Sequence, residues 1–180
     1  MKTSVGKTKL EIASGDITRL EVDTIVAPAG TKLWMDHGVA AALKRAGGDG
    51  IEKEAVLQGP VKVGEAVVTT GHGLAARWVV HTAVSESYPA VDADAGGIAA
   101  ATRASLAAAE RAHSRSVALP AFGTGAGAFP LYQCASLMVG ETVAYLKEHP
   151  GTTLRHIMFA VYDDAARAAF KNAMAGISRF

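Results

Sequence analysis

The segment Ser116 to Pro130, SVALPAFGTGAGAFP, constrains the chain more than any other. It opens with an apolar run of strand length. Gly123, Gly125 and Gly127 follow at alternate positions, and Pro130 then suits the first turn of a helix. Glycine carries no Cβ, so main-chain N–H groups there can approach an anion closely. A helix N-terminus adds positive potential, which makes a phosphate the expected occupant. The loop falls at the carboxyl end of a strand, where open α/β sheets keep their ligand clefts. The same glycines also suit a plain tight turn between strand and helix, and the residues alone leave both readings open. A Rossmann fingerprint fits poorly. The spacing is GxGxG, the loop comes late, and no acid placed for a ribose ends the next strand. A P-loop is excluded by the missing Gly-Lys-Ser/Thr ending.

The rest of the chain alternates in the same way. Thr8 to Ile12, Val22 to Ala29, Glu65 to Thr70, Trp78 to Ala83, Ser116 to Pro120 and Leu154 to Tyr162 read as strands. Pro28 cannot donate to a ladder, so the second of these is expected to end there or to lie at a rim. Helices are expected over Gly38 to Ala46, around Ile51 to Leu57, over Gly97 to His113, over Leu131 to His149 and after Asp163-Asp164. Strands alternating with helices imply an α/β fold in three layers, α/β/α. Two strands in direct succession, EAVVTT and WVVHTA, imply a mixed central sheet of about six strands. A single domain over residues 1–180 is expected. A second glycine-bearing turn, Met35-Asp36-His37-Gly38-Val39, also stands between a strand and a helix. Two such loops facing each other would clamp a diphosphate from both sides.

Composition matters mainly for what it removes. Net charge is +1 with no basic stripe, which argues against a nucleic-acid partner. Cys134 is the only cysteine, so there is no internal disulfide and no cysteine zinc site. A reducing cytoplasm suits that content. The first residues lack the apolar run of a signal peptide, and no stretch approaches the ~20 apolar residues of a membrane span. No metal site and no cofactor are expected. His81 sits in an apolar strand and reads as a core histidine. Cys134 lies on the apolar face of a helix and reads as a buried thiol.

Taken in order, several short motifs resemble the macrodomain family, over nearly the whole chain. They are Gly15-Asp16-Ile17-Thr18, Val22-Asp23-Thr24-Ile25-Val26, Gly38-Val39-Ala40 and Val80-His81-Thr82, then Leu119-Pro120-Ala121-Phe122-Gly123-Thr124-Gly125 and Val161-Tyr162-Asp163. The resemblance implies an ADP-ribose pocket in a three-layer macrodomain. Asp16 would accept a hydrogen bond from the adenine amino group, with the Ile17 main chain alongside. A carboxylate only accepts, so a guanine carbonyl is rejected there. Asp16 also suits the cap of a short helical turn. Tyr162 would face the adenine ring, or else pack as a core aromatic at a strand end. Gly38 and Val39 would contact one side of the diphosphate, and Gly123, Thr124, Gly125, Ala126 and Gly127 the other. Phe129 would wall the distal ribose, or simply join the core.

Three departures bear on activity. Where the family commonly has Asn-Ala-Ala-Asn, this chain has Ala27-Pro28-Ala29-Gly30. Gly30 therefore lacks the side chain that would reach the distal ribose, at about 0.5–1.5 kcal/mol per hydrogen bond. Asp36 and His37 replace two glycines of the first loop. Ala40 stands where hydrolytic members of one class carry an acid. No catalytic residue is assigned; Asp36, His37 and His72 are the nearby groups able to move a proton.

Three functions follow as expectations. The first is binding of ADP-ribose or a derivative, with ADP-ribosylated protein as a further partner. The second is hydrolysis, removing ADP-ribose from protein or the acyl group from O-acetyl-ADP-ribose with non-standard residues. The third is a diverged module for another phosphate-bearing ligand, such as an RNA end.

Overall fold

Strands and helices alternate along the chain in the computed structural model, which describes residues 1–87, 92–125 and 129–177. In chain order they are β1 (Lys2–Val5), β2 (Thr8–Ser14), a 3-10 turn (Ile17–Arg19), β3 (Thr24–Ala29), α1 (Gly38–Gly47) and α2 (Gly50–Leu57). Then follow β4 (Ala66–Thr70), β5 (Trp78–Ala83), α3 (Ala95–Arg111), β6 (Ser116–Pro120), α4 (Leu131–Glu148), β7 (His156–Val161) and α5 (Asp164–Ala175). One sheet collects seven strands in the order β1-β2-β7-β6-β3-β5-β4. The five inner strands run parallel, and β1 and β4 are antiparallel to β2 and β5.

The sheet is therefore mixed, but it has seven strands and not about six. The additional strand is β1. Its sequence KTSV carries one apolar side chain and alternates exposed with half-buried positions, so no hydrophobic pattern marks it. Pairing makes it a strand: a turn at Gly6, φ +57°, folds it back so that Val5 faces Thr8 and Lys2 faces Glu11.

The inner strands are buried on both faces, as parallel strands under helices must be. On one face Val26, Val80, Val117, Leu119 and Phe159 pack with Ile98, Met138 and Phe170 of α3, α4 and α5. On the other, Ile25, Val79 and Ala118 pack with Leu43 of α1 and Ile51 of α2. Alternate residues of one strand thus serve opposite layers, giving the three-layer arrangement.

Burial shifts the titration of two groups in these layers, His81 and Cys134. His81 of β5 is fully buried, its Nε2 2.9 Å from the Thr69 hydroxyl, while its Nδ1 has no partner. Burial pushes its pKa down to about 4, against a smaller opposing pull from the charge of Glu54. Cys134 is buried in α4 with Sγ 3.1 Å from the Phe122 carbonyl oxygen, and burial pushes its thiol up to about 12.

Pro28 sits in β3, a central strand, and β3 continues through it to Ala29. β3 thus stops one residue past Pro28, as expected, but it lies inside the sheet and not at its rim. Toward β5 the ladder continues through Pro28 and Thr82 to Ala29 and Ala83. Toward β6 it pairs only at Thr24 and Ile25. Past Ile25 the two strands part, so a residue without an N–H leaves no ladder position unfilled there.

Candidate functional site

The parting of β3 from β6 opens a cleft of about 480 Å³ at the carboxyl ends of the parallel strands. It is also where chain direction switches, since β3 leads on to β5 on one side and has β6 on the other. Open α/β sheets place ligands at such points. Pro28 and Pro120 line the cleft, each removing a main-chain donor from the place where the strands separate. Its volume is that of a small-molecule site.

One wall is the N-terminus of α1. His37 is the capping residue but makes no side-chain hydrogen bond to the helix, so it leaves the first-turn N–H groups uncovered. Gly38 has φ +57°, a conformation that favours glycine, and Gly38, Val39 and His37 all line the cleft. The loop before the helix is held firmly. Leu33 and Met35 are buried, and the Met35 N–H donates to Glu52 at 2.6 Å. Glu52 also receives Lys44 Nζ at 2.9 Å; burial raises its pKa, but these hydrogen bonds outweigh burial and hold it ionised.

The facing wall is the loop after β6, where Gly123, Thr124 and Gly125 line the cleft. Phe122 anchors its start in the core, and the Phe129 N–H donates to the Gly123 carbonyl at 2.8 Å. Gly123 has φ +68°, and a Cβ there would stand 2.9 Å from the Ala93 Cβ. Phe129 is half-buried, packs on the core and closes this loop. Ala126 and Gly127 lie outside the described residues.

A second helix, α5, reaches the cleft with the opposite character. Asp163 caps it, its Oδ1 accepting the Ala166 N–H at 2.7 Å, and both residues line the cleft. Its N-terminus is thus already answered by an internal carboxylate, whereas that of α1 is not. An anion is favoured on the α1 side.

At the β2 end, Asp16 caps the 3-10 turn. Its Oδ1 accepts the Thr18 N–H at 2.9 Å and the Thr18 hydroxyl at 2.7 Å. The capping reading of Asp16 is therefore correct, and its Oδ2 stands 3.8 Å from Arg19 Nε. The two Thr18 hydrogen bonds lower the Asp16 pKa and keep it an acceptor. Ile17 buries its side chain in the core. Tyr162 is 63% exposed and no core residue. Its hydroxyl lies against the Asp16 carboxylate and the Ile17 N–H; burial and the Asp16 charge raise its pKa. Asp16, Ile17 and Tyr162 thus form one cluster beside the cleft, which Tyr162 itself lines.

Three other residues fall differently. Gly30 is buried and lines a neighbouring hollow with Trp34. His37 lines the cleft with a half-exposed side chain, its Nδ1 3.0 Å from the Asp36 carboxylate. His72 is remote: β4 runs antiparallel, so the β4–β5 turn lies at the sheet end opposite the cleft, and His72 bonds Glu54 there at 2.7 Å. Sequence reasoning missed Pro28, Pro120 and Asp163 as lining residues. The signal for the prolines was their place inside strands.

Comparison with known proteins gives a consistent result. The family model "Macro domain" matches residues 26–138. An uncharacterized protein of Mycobacterium tuberculosis is 43% identical over 95% of this chain, and the match covers 46% of its own length. The chain therefore spans under half the length of that relative. A macro domain-containing protein of Streptomyces coelicolor is 37% identical over 91% of this chain and 96% of its own. Among solved structures, the macrodomain of Trypanosoma brucei in complex with ADP-ribose superposes with a TM-score of 0.82. It is 27% identical over 92% of this chain and 68% of that one. An Oceanobacillus iheyensis macrodomain superposes at 0.88 with 22% identity, covering 99% and 97%, a likeness of fold. No helix among the described residues is long and apolar enough to cross a membrane.

Proposed function

The chain belongs to the macro domain family, and from that premise we propose that its cleft binds ADP-ribose or a close derivative. The observation that carries the reading is the open space between β3 and β6, flanked by the glycine loop after β6 and by an α1 N-terminus that its own N-cap side chain leaves open. A diphosphate across this gap would meet main-chain N–H groups from both walls. Its adenine would lie toward Asp16 and Tyr162, where an ionised carboxylate accepts from the exocyclic amino group and an exposed ring offers a stacking face. The T. brucei macrodomain solved with ADP-ribose, at 27% identity, supports the same ligand class. Isothermal calorimetry with ADP-ribose tests this. Binding at a Kd of about 1 μM or tighter is expected, near −8 kcal/mol; absence of heat at millimolar ligand would overturn the reading.

One observation favours a second, catalytic reading. The Asp36 carboxylate is within hydrogen-bond distance of His37 Nδ1, and His37 is one of the residues that line the cleft. A proton held on Nδ1 leaves Nε2 as the base. On O-acetyl-ADP-ribose, a water oxygen would attack the acetyl carbon and its proton would pass to Nε2. The ester C–O bond would break, and Nε2 would return the proton to the leaving ribose oxygen. General-base help of this kind contributes roughly 10²–10⁴-fold. Acetate release that falls by about that factor in His37→Ala supports the reading; release equal in the two proteins removes it.

A further inference from the structure

A second hollow lies past the β3 end of the cleft. Gly30, Lys32, Leu33, Trp34, Glu86 and Ser87 enclose about 170 Å³ there. A cavity of ~150 Å³ accommodates a benzene-sized group, so this one suits a single side chain and not a second nucleotide. Trp34 stands 53% exposed on its wall, with Lys32 Nζ 4.9 Å from the ring centroid.

The wall is built, not frayed. Thr31 donates both its N–H and its hydroxyl to the Glu86 carbonyl at 3.1 Å. Val61 N–H reaches the Thr31 carbonyl at 2.9 Å, Leu33 N–H the Gly30 carbonyl at 3.1 Å, and Met35 N–H is held by Glu52. Leu33 between them is fully buried. A large aromatic ring is thus kept in water on a pinned loop, where covering it costs little further ordering. Rings so presented are enriched among the residues that dominate protein–protein contacts.

Strand order fixes the direction. Asp16 follows β2 and Tyr162 follows β7, while Gly30 follows β3 and Glu86 lies beyond β5. The loop after β6 stands between the two pairs. A nucleotide with its base at Asp16 therefore directs its far sugar to the β3 end, where Pro28 lines the cleft and Gly30, two residues on, lines the hollow.

We propose that this hollow is an acceptor subsite, which receives the polypeptide to which ADP-ribose is attached. The proposal rests on the ADP-ribose reading of the cleft. Free ADP-ribose ends at its distal sugar and does not enter. In a modified protein, the side chain bearing the sugar lies against the Trp34 ring. Lys32 and Ser87 offer donors to neighbouring carbonyls and Glu86 an acceptor to an N–H. Glu86 and Lys32 leave the wall without net charge, which suits a peptide backbone with its donors and acceptors better than the run of phosphates of a nucleic acid.

The test titrates wild type and Trp34→Ala with three probes: free ADP-ribose, a synthetic peptide ADP-ribosylated on one serine, and an ADP-ribosylated RNA oligonucleotide. Thermal melting of the variant checks its fold, and Lys32→Ala serves as a second variant should Trp34→Ala fail to fold. The modified peptide is expected to bind wild type about tenfold tighter than free ADP-ribose. Either variant should erase that increment and leave free ADP-ribose unchanged. Equal affinities in wild type, or equal losses for peptide and free ligand in the variant, overturn the subsite. Tighter binding of the RNA than of the peptide overturns the choice of polypeptide. Failure of every probe to bind wild type identifies the ADP-ribose reading itself as the error.

Discussion

Tyr162 shows how one residue can answer to two partners. Its ring is largely in water at the end of β7, while its hydroxyl rests against Asp16 and the Ile17 N–H. On the proposed reading an incoming adenine would draw on the same carboxylate, so the phenol would compete with it for acceptor sites while its ring remains available for stacking. The two roles separate by mutation. Tyr162→Ala removes the stacking face and is expected to weaken ADP-ribose by about 1–3 kcal/mol, or roughly 5- to 150-fold. Tyr162→Phe keeps the face, removes the competing hydroxyl, and is expected to bind at least as tightly as wild type. Melting temperatures should not move in either variant, because so exposed a ring adds little to the core. Calorimetry settles the matter: equal losses in Ala and Phe would mean that the hydroxyl, not the ring, does the binding.

At the level of elements, the loop after β6 joins a structural glycine to a permissive one. Gly123 has φ +68° and faces the Ala93 Cβ, whereas a Cβ on Gly125 would meet nothing within 4 Å. Gly123→Ala should therefore cost about 1–3 kcal/mol of stability, lowering the melting temperature by roughly 2–4 °C per kcal/mol. Gly125→Ala should stay within about 0.5 kcal/mol of wild type. Matching shifts for the two variants in a thermal melt would contradict this assignment. From sequence the two glycines look alike, because φ and the approach of Ala93 arise only when residues far apart in the chain meet. The elements themselves were legible wherever apolar periodicity was strong, as in β3, β5, β6 and α4. β1 was not, since its strand character comes from pairing with β2. Pro28 was legible as an anomaly but not in its meaning: it marks where two central strands separate. The Asp16 cap was readable from local chemistry. Trp34 was not singled out, because one exposed aromatic in a loop carries no pattern until the fold sets it beside a hollow.

For the molecule as a whole, a sheet covered on both faces leaves no water for a polar residue inside it, and His81 is such a residue. Thr69 satisfies one ring nitrogen, and the other has no partner, so protonation would place a charge in the core. Burial lowers its pKa from 6.5 to about 4 in the folded protein. Above pH 6.5 neither folded nor unfolded chain is protonated at this position, and the group has no effect on stability. As pH falls below 6.5 the unfolded chain takes up a proton that the folded chain refuses, so stability is lost until pH approaches 4. At 1.36 kcal/mol per tenfold change in proton activity, the loss reaches about 2 kcal/mol by pH 5. Surface carboxylates add a slope of their own, and a second protein removes it by subtraction. In His81→Asn the titrating group is gone while a polar atom remains in the region of Thr69. Urea unfolding of both proteins at pH 7.5 and pH 5 should give a wild type that loses about 2 kcal/mol more than the variant between the two conditions. The same loss in both would mean that His81 takes up its proton in the folded state as readily as in the unfolded, which a sealed central sheet does not permit.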